Sequence, residues 1–153
     1  MKPTTPIALV LAGAALATTA QADPHRLDDS FSHTVPPNVQ MEWLPLRPGQ
    51  AFGAGMEAWV RVNVRIDTRL WIGRSGRVYM VLPRDEASSV EAVWTTQGRL
   101  QAGRLMSGER ALVYAGTMHG ATLEDQLQVR LRANPDWVGS SRQLHFHFEL
   151  DAD

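Results

Sequence analysis

The sequence predicts an all-β chain: an immunoglobulin-like antiparallel β-sandwich of about eight or nine strands. Three observations carry that reading. Strict alternation of apolar and polar residues runs through 57–67, 126–132 and 142–150, the period-two pattern of strands with one buried and one wet face. Turn chemistry separates the apolar stretches at Gly73-Arg74-Ser75-Gly76, Pro83-Arg84-Asp85-Glu86, Ser107-Gly108-Glu109 and Asn134-Pro135-Asp136, the spacing of short strands in sandwiches and barrels. No long amphipathic helix interrupts them.

Residues 1–22 read as a secretory signal. Met1-Lys2 gives a basic start, Ile7 to Ala17 a short apolar run, and Ala20-Gln21-Ala22 a small-residue cleavage pattern before Asp23. The apolar run is shorter than the ~20 residues a membrane-spanning helix needs. The expected location is therefore the periplasm or the medium, after cleavage following Ala22. Every acidic side chain lies beyond that point, and Lys2 is the only lysine of the chain.

Residues 23–40 read as a flexible N-terminal arm. Apolar residues are sparse there (Leu27, Phe31, Val35, Val39), and Pro36-Pro37 breaks regular helix or inner strand. Residues 41–153 form the expected sandwich domain, opening with a weak strand over 41–46. In 57–67, Val60, Val62, Val64 and Ile66 point inward, while Trp59, Arg61, Asn63, Arg65 and Asp67 point outward. Further strands are expected at 69–73, 76–82, 90–95, 98–105 and 110–115. Thr122, with an acid three residues on at Asp125, resembles the capping box of one helical turn. Leu127, Val129 and Leu131 then face the core from 126–132. Leu144, Phe146, Phe148 and Leu150 do so from 142–150, with His145, His147 and Glu149 outward.

Composition excludes several functions. The formal net charge is −1, from 16 acidic and 15 basic residues, which gives no broad electrostatic case for nucleic acid. With no Cys, disulfides, thiol catalysis and cysteine-ligated metals are excluded together. No phosphate loop, dinucleotide fingerprint or calcium loop occurs. Gly73-Arg74-Ser75-Gly76 is one residue short of a nucleophile elbow and falls in a turn. The chain is not expected to be an enzyme, and no cofactor is expected.

Two constellations remain as candidate sites. Trp59, Arg61 and Arg65 share the outward side of one strand, and exposed aromatic and Arg side chains are enriched at protein interfaces. His145, His147 and Glu149 alternate on another strand, with neighbours about 6.5–7 Å apart. With His119 from a turn they are the candidate metal ligands, since imidazole and carboxylate suit Zn²⁺ or Cu²⁺. A solvated strand face accounts for the same histidines without a metal. Of the five tryptophans, Trp71 and Trp94 lie in β patterns and are expected in the core. Trp43 and Trp137 are candidate surface platforms for a carbohydrate or peptide, although packing at the core or its rim is the favoured reading of both. These features favour an exported, non-catalytic component of the bacterial cell envelope, of pilus or adhesion type, that binds another envelope or surface protein and has no membrane span once the signal is removed. A periplasmic metal-binding module and a small secreted hydrolase are the alternatives.

Overall fold

The computed structural model describes residues 23–45, 48–49, 55–84, 90–133 and 144–153. The expected signal segment, Trp137 and the first two residues of 142–150 lie outside them. The described chain is all-β, with ten strands. They are β1 (His25–Arg26), β2 (His33–Val35), β3 (Glu42–Trp43), β4 (Met56–Asp67), β5 (Ser75–Val81), β6 (Val90–Thr96), β7 (Gly103–Met106), β8 (Arg110–Thr117), β9 (Thr122–Ala133) and β10 (His147–Ala152).

They make two antiparallel sheets. Sheet A has the order β1-β10-β5-β8; sheet B has the order β2-β4-β9-β6-β7, with β3 also paired to β4. Both sheets supply one buried apolar cluster, the arrangement of a β-sandwich. Val60, Val62, Val64 and Ile66 of β4 meet Leu127, Val129 and Leu131 of β9 there, beside Val78 and Met80 of β5 and Phe148 and Leu150 of β10. The alternation in 57–67 and 126–132 thus marks a real inner face.

The spine of sheet B is longer than the alternation implies. β4 and β9 pair over twelve residues each, from Met56 opposite Ala133 to Asp67 opposite Thr122. The expected helical turn at Thr122–Asp125 is therefore strand. Asp125 does not close a capping box; its carboxylate accepts the Leu100 N–H at 2.7 Å and the Gln97 N–H at 3.3 Å, fastening the β6–β7 connection to β9.

Three other expectations change. The strand expected at 69–73 is a 3₁₀ turn, Arg69–Trp71, followed by a single parallel bridge from Ile72 to Met118. Asp67 folds onto the Arg69 N–H at 2.9 Å, and Thr68, anchored by its hydroxyl to the Gly120 carbonyl at 2.7 Å, accepts the Trp71 N–H. Local side-chain bonds of this kind compete with a ladder. Of the strand expected at 98–105 only the end from Gly103 is strand, and it runs on to Met106. The residues before it are tied by Asp125, by the Trp94 indole N–H to the Gln101 carbonyl at 2.9 Å, and by the Thr96 hydroxyl to the Leu100 carbonyl. Gly103 begins β7 because a Cβ there would lie 2.8 Å from Cζ2 of the buried Trp94. Finally, β10 begins at His147, and Leu144 and Phe146 lie before it, partly buried against the core.

Residues 23–40 are not a free arm in this structure. β1 pairs with β10, placing His25 opposite Leu150, and β2 pairs with β4, placing His33 opposite Asn63. Leu27 and Val39 are buried in the common core, and the Leu27 N–H donates to the Phe148 carbonyl at 2.9 Å. The segment closes an edge of each sheet in turn. The other two apolar residues of the segment, Phe31 and Val35, are exposed.

Candidate functional site

The outer face of sheet B is a grid built by strand alternation and by the register of β2, β4, β9 and β6. Side chains directly opposite one another on the same face interact as pairs. Glu57 stands opposite Arg132, and the Arg132 Nε–H donates to Glu57 Oε2 at 3.0 Å. Two residues on, Trp59 stands opposite Arg130, whose guanidinium carbon lies 5.9 Å from the indole centroid. Next come Arg61 opposite Gln128, then Asn63 opposite Gln126, joined by an amide bond of 2.9 Å. Arg65 follows opposite Glu124, paired at 3.1 Å. β2 extends the grid with His33 beside Asn63 and Val35 beside Arg61. β6 extends it on the other side with Glu91 beside Arg132 and Val93 beside Arg130.

Trp59, Arg61 and Arg65 are thus brought onto one face, as alternation requires. Trp59 is 63% exposed although its indole N–H donates to Glu57 at 3.2 Å. Arg65 is engaged with Glu124 and lies 5.8 Å from the Phe31 ring centroid. Arg61 has no carboxylate partner among the described residues. Residue-level reading of the chain missed Phe31, Val35 and Arg130. Phe31 and Val35 belong to the segment expected to be a free arm. Arg130 declares itself only through the register that sets it under Trp59. Its Nε is buried without a hydrogen-bond partner.

Beside this face, Phe31, His33, Asn63, Arg65, Glu124 and Asp125 line a shallow cleft of about 440 Å³. His33 Nε2 and the Asn63 amide lie 3.0 Å apart across it. A second hollow of about 360 Å³ lies at the end of the sandwich, between Arg26, Asp28, Asp67, Arg69 and the apolar Leu70 and Trp71. Hydrogen bonds from Arg69 hold the Asp67 carboxyl below its usual range. The Ser30 backbone N–H and hydroxyl do the same for Asp28. These carboxylates are already supplied with donors.

The candidate metal ligands do not converge. His147 Nε2 lies 3.1 Å from Glu149 Oε1, both half-buried on the outer face of sheet A. Glu149 also receives Arg110 at 3.3 Å; Arg110 bridges on to Asp151 and lies 3.9 Å from the Tyr79 ring centroid. His145 precedes β10 and is exposed. His119 sits in the β8–β9 turn, next to the Ser75 end of β5, whereas His147 stands opposite Val81 at the other end. The length of β5 between them is about 20 Å at 3.3 Å per residue. Among the described residues no group of three or more His, Asp or Glu is arranged to hold a metal ion. Trp43 is exposed on β3, opposite Met56 at the Glu57 end of β4, and Trp71 is partly buried, 5.0 Å from the His25 ring and under the Arg74 guanidinium.

No protein-family model matches the chain, and no curated protein or solved structure matches it at a significant level.

Proposed function

We propose that this protein is an exported, non-catalytic β-sandwich of the bacterial envelope that binds another envelope or surface protein through the outer face of sheet B. The observation that supports this most is the exposed Trp59 on a rigid twelve-residue strand, with the Arg130 guanidinium carbon 5.9 Å from its ring centroid and Arg61 two residues on along the same face. Trp and Arg are the side chains most enriched where interface energy concentrates, and a central strand holds them in fixed relation at little entropic cost. Export rests on the sequence pattern ending Ala20-Gln21-Ala22, and the exported chain should start at Asp23 by intact mass. A chain retaining Met1 in the envelope fraction would overturn that part. The immunoglobulin-like assignment belongs with this proposal. β4 and β5 follow one another but lie in different sheets, as do β8 and β9, and such crossings are the habit of Greek-key sandwiches.

The test places a photo-crosslinking amino acid at Gln128, in the middle of the face, or at the exposed Ala115 on β8 of the other sheet. Discrete protein adducts should form from position 128 in producing cells and not from position 115. Trp59→Ala should remove them while leaving the melting temperature within a few degrees. Equal adducts from both positions, or none from 128, would sink the assignment of this face.

A further inference from the structure

The charges on the outer face of sheet B are not distributed evenly, and their distribution names the chemistry of the partner. At one end of the grid Glu57 is matched by Arg132, and Glu91 by Arg104 at 3.1 Å. At the other end Glu124 is matched by Arg65. Between these ends lie three rows without an acid: Trp59, Arg130 and Val93, then Val35, Arg61 and Gln128, then His33, Asn63 and Gln126. Neither Arg61 nor Arg130 has a carboxylate partner among the described residues. The Nε–H of Arg130 is buried without an acceptor. The two cations are diagonal neighbours across the β4–β9 pair, a spacing of about 7–8 Å.

We infer that the partner presents a short acidic protein segment to this window, with carboxylates for Arg61 and Arg130 and an apolar side chain for Trp59. The inference rests on the proposed use of the face and specifies what occupies it. An apolar partner would bury two guanidiniums without compensation, which costs more than the contact returns. A basic partner would add like charge. A carboxylate is the planar acceptor that a guanidinium fork matches. A long polyanion fits less well. Glu57 and Glu124 bound the window along the strands, about 27 Å apart at 3.4 Å per residue, so an extended nucleic acid or anionic glycan lying along β4 would meet acids on both sides. A segment of a few residues lies between them.

The same adducts from position 128 supply the test. The crosslinked stretch, sequenced by mass spectrometry, should carry two or more Asp or Glu within about five residues, as the ~7 Å period of alternate strand residues requires. Arg61→Glu should lower adduct yield about tenfold or more, and Arg61→Lys by clearly less, because the ammonium keeps the sign that steers a carboxylate but loses the two-pronged fit of the guanidinium. Arg61 is exposed and forms no part of the core, so both variants should melt as the unaltered chain does. A neutral or basic stretch, an adduct to nucleic acid or lipid, or an unchanged yield in Arg61→Glu would overturn the acidic partner while leaving the face in use. The absence of any adduct from 128 would overturn the face itself, and the inference with it.

Discussion

Val64 and Arg65 are chain neighbours that point to opposite sides of β4. Val64 is 3% exposed in the shared core, and Arg65 lies on the surface beside Glu124. Val64→Asp would bury a carboxylate with no partner, at a cost of several kcal/mol, a large share of the stability of an ordinary domain. It should yield a chain with no cooperative thermal transition. Arg65→Asp exchanges an exposed ion pair, worth at most about 1 kcal/mol, for a repulsion of similar size; it should fold and melt a few degrees lower. Circular dichroism melts decide the matter, and comparable damage from both substitutions would mean that both sides of β4 are buried. This inside–outside pairing was plain in the amino-acid order, because a strand's period is two wherever one face is wet. Residues such as Asp125 and Arg130 were not. The roles of both depend on which strand lies opposite, and a single strand's alternation carries no record of register.

At the scale of elements, the long strands were readable and the short ones were not. β1, β2 and β3 have two or three residues each, too few for a period to emerge, and the prolines between them pointed to a break. They are strands only because the edges of β10 and β4 are there to pair with. Docking of this segment has a measurable consequence. Leu27→Ala removes a side chain 4% exposed in the core and should cost about 2–5 kcal/mol, as buried Leu truncations do. A melting temperature unchanged by Leu27→Ala would instead mean that 23–40 is a free arm. The same segment carries Asp29, whose carboxyl is pushed up from its ordinary value, chiefly by burial, against the favourable fields of Arg26 and His147. A carboxyl with a raised native pKa binds its proton more tightly in the folded chain. It therefore opposes folding as pH rises from the unfolded value through the native one, and the penalty is complete above both. Asp29→Asn should accordingly raise the melting temperature at pH 7 and leave it nearly unchanged at pH 3, where both states hold the proton. A stabilisation equal at the two pH values would place its origin outside the titration.

For the molecule as a whole, the two outer faces are finished differently. On sheet A, Arg110 ties Glu149 to Asp151 over Tyr79, and His147 lies against Glu149, so charges are matched where they stand. On sheet B the matching stops short of the centre, and it is on this difference that the proposed partner face rests. Neither sheet can form locally. His25 pairs with Leu150, Met56 with Ala133 and His147 with Val81, so each sheet waits on chain segments far apart in sequence. Closing such loops costs entropy before the ladders return anything, and topologies dominated by distant pairings fold in about milliseconds to seconds rather than microseconds. Trp94, 2% exposed in the core with its indole N–H on the Gln101 carbonyl, should report this directly. After dilution from urea, the main fluorescence change of a variant that keeps Trp94 and carries Phe at the other four tryptophans should fall in the millisecond-to-second range. Val64→Ala should slow it if β4 and β9 pair in the transition state, and speed only unfolding if they pair later. Completion of the native Trp94 signal within tens of microseconds would mean that local structure forms the core first, contrary to the strand order found here.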